Sequence, residues 1–196
     1  LNCNKGYYEN IFGKISKAIS SYELAWKIYH KNKLTTYDIT EYCLKPLGNL
    51  YTLIGDYSNA ENSIKQYYFV ASQEKNESQK QAAVLNLSNV YQNTGRIDQA
   101  IELLEKTIQK EKLTNAQKGL LYNNLGSNYF LNTRATKMKS YAFENAEKAF
   151  LKAVLLLERE PSQHEALTNS YRNLCKLNLE RKNKQMALHY FEKAKH

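Results

Sequence analysis

Residues 47–68 read LGNLYTLIGDYSNAENSIKQYY, and residues 87–108 read LSNVYQNTGRIDQAIELLEKTI. Leu, a small residue, Tyr, Gly and Ala recur at the same offsets. Working outward, a small anchor returns as Ala18, Ala60, Ala100, Ala146 and Ala187. Four residues after each stands a large apolar one: Tyr22, Ile64, Leu104, Phe150 and Phe191. Three further on stand Ala25, Tyr67, Thr107, Ala153 and Ala194. Offsets of 4 and 7 describe one face of a helix. Leu47, Leu87 and Leu174 stand thirteen residues before their anchors, and Leu125 stands further off. Each is followed by a small residue (Gly48, Ser88, Gly126, Cys175), and Tyr51, Tyr91 and Tyr129 come four residues after the Leu. That spacing is a second helix in each unit. Gly55 and Gly95 fall between the two helices, where a residue with positive φ is wanted.

Helix starts are marked as well. Ser58/Glu61, Thr114/Gln117 and Ser162/Glu165 have capping-box spacing, and Asn76/Gln79 is a variant of it. Three departures stand out. Pro46 falls inside a first helix, which it should kink or start late. RATKMKSY, residues 134–141, is inserted between the helices of one unit. The last unit has Asn178 in place of Tyr and lacks the Gly between its helices.

The stretches LGNLYTLIGDYSNAENSI, LSNVYQNTGRIDQAIELL, LGSNYF with NAEKAFLKAV, and LCKLN with QMALHYFEKA resemble the tetratricopeptide repeat. The resemblance covers nearly the whole chain as four helix pairs, after a first pair complete only in its second helix. It implies an all-α fold, a right-handed superhelix (α-solenoid) of about ten antiparallel helices. The expected pairs are 1–34, 35–75, 76–113, 114–160 and 161–196. Anchors 42, 40, 46 and 41 residues apart exceed the common unit of about 34. The longer helices resemble the subgroup that includes kinesin light chain. One unit cannot bury its apolar face alone, so stacking requires repetition.

The totals agree with that reading. The 196 residues are 42% hydrophobic and hold only 7 Gly and 2 Pro, too few for an all-β chain with many tight turns. No apolar run approaches the roughly 18 residues of a membrane span. The chain opens on Leu1 rather than Met and reads as a fragment of a longer protein; the cytoplasm is the favoured compartment, and export stays open. The net charge of +9 is uneven: +3 over residues 1–40, −1 over 41–80, +1 over 81–118 and +6 over 119–196. The central repeats are near neutral, so no continuous basic face is expected. Two small basic clusters, Lys137 with Lys139 and Arg181, Lys182 with Lys184, are the candidates for nucleic acid; solvated faces are the favoured reading.

Chemistry is sparse. Cys3, Cys43 and Cys175 are odd in number and without a CxxC, so they read as small packed residues rather than a disulfide framework or zinc site. His30, His164, His189 and His196 show no metal-ligand spacing. No GxGxxG, phosphate loop or GxSxG occurs. The expectation is a non-catalytic chain without cofactor or metal.

The asparagines carry more information. Of 21, twelve fall in the expected first helices of units two to five and three in the second helices. Asn is a mediocre helix former, so such clustering wants a reason. In the tetratricopeptide family the first helices line a concave groove, where Asn offers a donor and an acceptor to the backbone of an extended peptide. The resemblance places Asn49, Asn86, Asn89, Asn124 and Asn173 on groove positions, with Lys45 and Arg172 able to meet carboxylates. Tyr42, Leu85, Leu120 and Phe130 would add apolar contact. Lys45, Asn49 and Asn86 match the first three positions of a carboxylate clamp found in one subfamily, but Leu120 and Asn124 stand where Lys and Arg are expected. A chaperone-tail clamp is therefore disfavoured.

The expected function is protein–protein interaction, with a peptide or partner domain in the groove. EYCLKPLGNLYTLIGDYSNAEN further resembles the repeat arrays ahead of caspase-like CHAT peptidase domains in large bacterial proteins. That implies a recognition role for a peptidase outside this chain. Intramolecular regulation and self-association through the array ends are the alternatives.

Overall fold

The computed structural model describes residues 1–32, 37–109, 112–135 and 139–195. Within them lie ten α-helices and no strand. They are α1 (Asn2–Ile11), α2 (Ile15–Lys31), α3 (Lys45–Leu53), α4 (Tyr57–Gln73), α5 (Glu77–Asn93), α6 (Ile97–Ile108), α7 (Asn115–Ala135), α8 (Lys139–Leu157), α9 (His164–Glu180) and α10 (Lys184–Lys193). The chain divides into two compact units, Leu1–Val90 and Tyr91–His196.

In the first unit α1 packs on α2 and α3 on α4. The anchors Ala18 and Ala60 and the following Tyr22 and Ile64 are buried. Gly48 explains why a small residue follows each leading Leu: a Cβ there would lie 2.7 Å from Ile64 Cγ1. The first pair is complete, α1 being the half on which the sequence shows no copy of the repeated phrase. α1 lacks the Leu–small–Tyr phrase, yet its Gly6 meets the Tyr22 ring, with a built Cβ 3.0 Å away.

Pro46 starts its helix late, one of the two outcomes expected of it: α3 begins at Lys45. Residues Thr40–Leu44 form a π-helical turn ahead of α3, and the Lys45 N–H reaches back five residues to the Thr40 carbonyl. Pro46 then occupies the first turn of α3, where a missing N–H is tolerated. Gln79 on α5 ties down the turn. Its Nε2 donates to Asp38 at 2.9 Å, and its amide oxygen lies 2.7 Å from the buried Thr40 hydroxyl.

In the second unit α7 packs on α6, α8 and α9, and α9 on α10. Phe150, Leu174, Leu177, Tyr171 and Tyr190 form its apolar centre with Ala146. Full burial of a side chain like Phe150 contributes roughly 2–3 kcal/mol. The inserted segment 134–141 lies partly outside the described residues; to either side the chain is helical, α7 running to Ala135 and α8 starting at Lys139. On α10 the buried face is Ala187 and Tyr190, and Phe191 is exposed, contrary to the expected offset.

Five of the helix ends follow one scheme. At Gly55 (φ +78°) the chain turns back, and the Asp56 N–H donates to the Tyr51 carbonyl at 2.9 Å. α1, α4, α5 and α9 end likewise at Gly13, Lys75, Gly95 and Lys182. Lys182, at φ +60°, thus fills the place of the Gly missing from the last unit. Of the expected caps, Thr114 and Gln117 form a reciprocal box at 3.2 and 2.9 Å. Asn76 caps α5 by accepting from the Gln79 N–H at 3.1 Å. α4 is capped by Asp56 instead of Ser58, and α9 has no side-chain cap at Ser162.

Candidate functional site

The expected groove residues fall in two sets, one per unit. In the first, Lys45 and Asn49 line a cleft of about 530 Å³ with Tyr7, Tyr22, Glu41 and Tyr42. Lys45 is half-buried, and its ammonium meets Glu41, four residues back in the π-helical turn, at 2.6 Å. Asn49 is exposed; Asn86 and Asn89 on α5 are half-buried. Among the described residues none of these three asparagines makes a side-chain hydrogen bond. Tyr42 is exposed beside the cleft, its ring 5.8 Å from that of Tyr37.

In the second unit the same residue type is spent on the fold. The Asn173 amide donates to Asn123 Oδ1 at 3.2 Å, an oxygen that also accepts from the Ser170 hydroxyl at 3.1 Å. These bonds join α9 to α7. Asn124 donates to the Leu120 carbonyl at 3.0 Å, Asn128 to Asn124 at 2.9 Å, and Asn178 to Leu174 at 2.9 Å. Such bonds to the carbonyl four residues back give the amide N–H a partner within its own helix, while the buried Asn128 Oδ1 has none among the described residues. Phe130 turns toward α8, 6.0 Å from Phe143. Arg172 is exposed.

Charge in the site is set by local pairs. Burial works against ionisation of Asp38, but hydrogen bonds from Thr40, the Glu41 N–H and Gln79 outweigh it and hold the carboxyl below its ordinary value. Tyr51 and Tyr129, in equivalent places, donate to Glu23 and Glu105 on the preceding second helices. Burial, then these carboxylates, push both phenols well above the usual range. Of the two basic clusters, Lys137 lies outside the described residues. Arg181 is held by Glu147 at 2.5 Å and lies 5.5 Å from the Phe143 ring centre. Among the described residues no group of three or more His, Cys, Asp or Glu is placed to hold a metal. No described helix is long and apolar enough to cross a membrane.

Sequence reasoning missed one contact: the buried Cys43 thiol donates to the Tyr22 carbonyl on α2 at 3.1 Å. Nothing in their spacing signals it.

Residues 83–116 match the tetratricopeptide repeat family. A search of curated proteins finds no match. Solved structures share the fold over nearly all of the chain. The apo form of RapI superposes with a TM-score of 0.80 at 18% identity, over 98% of this chain and 67% of that one. The fold is that of tetratricopeptide repeats. A kinesin-light-chain-like protein of nearly identical tetratricopeptide-like repeats from Podosopora anserina gives a TM-score of 0.71 at 16% identity, over 99% of this chain and 91% of that one. BtubC (BKLC) from P. vanneervenii gives 0.71 at 22%, over 92% and 70%. The tetratricopeptide first helices are α1, α3, α5, α7 and α9, and the asparagine bias stays on them: α3, α5, α7 and α9 hold twelve, and α4, α6, α8 and α10 hold three.

Proposed function

We propose that this tetratricopeptide array is a non-catalytic interaction module that holds an extended peptide, or a strand-like segment of a partner, on its first helices. Lys45, Asn49, Asn86 and Asn89 carry the reading. A side-chain amide without an internal partner can bond a peptide backbone N–H and C=O together, independent of the peptide's sequence. The single strongest support is the contrast between these amides and their counterparts in the second unit. Asn124 and Asn173 join the proposal only through the side-chain oxygens that their internal bonds leave over, and Arg172 is the residue that presents charge for an acidic side chain.

Selection from a random peptide library tests this. Selected peptides are then titrated by fluorescence anisotropy against the wild type and an Asn49→Ala/Asn86→Ala/Asn89→Ala variant of matched thermal stability. Three backbone-directed hydrogen bonds at about 1 kcal/mol each predict at least a tenfold weaker Kd in the variant. Equal affinities would overturn the assignment.

A finer reading rests on the stretch from Glu41 to Asn62, which resembles arrays preceding CHAT peptidases. In it the array supplies recognition for a peptidase elsewhere in a longer protein. Reading the gene beyond His196 tests it: a downstream domain with a His/Cys dyad supports it, and any other downstream sequence removes it.

A further inference from the structure

Lys148 and Lys152 stand one turn apart on α8, and both are exposed. They fall two and six residues after the anchor Ala146. The same offsets from Ala100 on α6 give Glu102 and Lys106, which meet each other at 2.5 Å. One second helix thus carries a self-neutralising pair where the next carries two like charges. Like charges four residues apart repel and weaken a helix. Among the described residues neither ammonium has an ion-pair partner. The Lys152 ammonium lies instead 5.2 Å from the centre of the Tyr122 ring on α7.

Both lysines border a cleft of about 370 Å³ between α6, α7 and α8, with Leu125 and Ala149 among its apolar lining. Asn145 and Tyr122 line it too and are half-buried. Among the described residues the Asn145 amide and the Tyr122 hydroxyl make no hydrogen bond. Tyr129, on the same wall, differs, since its hydroxyl donates to Glu105. The cleft therefore offers ammonium, amide and phenol donors over an apolar floor. Two lysines against one glutamate leave a single surplus positive charge, within a stretch, 119–196, that carries +6. Glu105 in the wall works against the continuous charge of a nucleic-acid backbone, while spaced carboxylates can avoid it. The cleft is also separate from the groove. Asn124 follows Tyr122 by two residues, at about 100° each, and so sits on nearly the opposite side of α7.

We propose that this cleft binds an acidic segment of a protein partner, in which carboxylates alternate with aliphatic side chains. The carboxylates meet Lys148 and Lys152 and accept from Asn145 and the Tyr122 hydroxyl. An aliphatic side chain between them packs on Leu125 and Ala149. Occupancy relieves the repulsion between the two lysines, which an empty cleft leaves to solvent.

The experiment titrates isotope-labelled chain at low salt with a capped Glu-Leu-Glu-Leu-Glu peptide and follows amide shifts by NMR. Saturable shifts are expected at the cleft residues of α6, α7 and α8, weakening as salt is raised. Lys148→Gln/Lys152→Gln should weaken Kd roughly tenfold, the loss of two exposed ion pairs, and Lys148→Arg/Lys152→Arg should restore it. The peptide with Gln in place of Glu should not bind. The Asn49→Ala/Asn86→Ala/Asn89→Ala variant should bind the acidic probe like the wild type, which keeps this site and the groove distinguishable. Absence of saturable binding would overturn the proposal. So would equal affinity in the Gln variant, shifts confined to the groove asparagines, or displacement of the peptide by a lower concentration of inorganic phosphate or of a single-stranded oligonucleotide.

Discussion

Gly126 lies against Phe150 so closely that a Cβ built on the glycine would stand 2.6 Å from the ring. The pair is the α7–α8 counterpart of Gly48 and Ile64, and it sets how near two helices come. Gly126→Ala gains about 1 kcal/mol in helix propensity, but forces a fully buried ring out of place, at about 1–3 kcal/mol. The net expectation is destabilisation of up to about 2 kcal/mol by denaturant titration. A variant at least as stable as the wild type would show that the helices separate without cost.

Lys182 holds a left-handed backbone that a side chain disfavours by roughly 1–2 kcal/mol. Lys182→Gly should raise stability by about 1 kcal/mol, and Gly95→Ala should lower it by a similar amount. Urea midpoints of the two variants check both signs at once.

Tyr67 is fully buried, and its hydroxyl finds no hydrogen-bond partner among the described residues. Removing the oxygen removes a desolvation cost without opening much space. Tyr67→Phe is therefore expected to be neutral or stabilising, by up to about 1 kcal/mol. Loss of more than that would mean the hydroxyl has a partner in solution.

Buried phenols make the fold sensitive to alkali. Burial brings Tyr22 up to about 12, and Tyr51, Tyr129 and Tyr171 are raised by burial together with their Glu partners. A phenol raised in the folded state contributes stability that is complete below its unfolded value near 10. That contribution is lost as pH rises through the folded value. Unfolding midpoints should fall above about pH 10. The fall should be shallower in Tyr51→Phe/Tyr129→Phe. Phenolate absorbance should appear in step with unfolding.

The fold was legible because its packing repeats. Small residues at 48 and 126 and large ones at 64 and 150 are complementary halves of one contact, so their spacing in sequence already encodes the helix pair. α1 was not legible, because Gly6 meets Tyr22 without the Leu or Tyr that marks the other first helices. At α4, Asp56 and Ser58 are both good caps. The turn at Gly55 brings Asp56 into place first, and no propensity scale distinguishes them. The site was legible only as a bias. Asn49 and Asn178 are the same residue on the same class of helix, yet one is exposed and the other buried against its own helix. Helix position decides that. The Cys43–Tyr22 contact was illegible for a related reason: it joins two segments whose approach depends on the π-helical turn.

The recurring helix ending has a consequence for how such a chain changes over generations. Five helices stop by the same backbone hydrogen bonds, with either Gly or Lys at the bend. The joint therefore asks little of its sequence and nothing of the helices it connects. Gene duplication or deletion can add or remove a whole helix pair there without inventing a new turn. Uneven spacings of 40 to 46 residues between anchors are the kind of record such editing leaves.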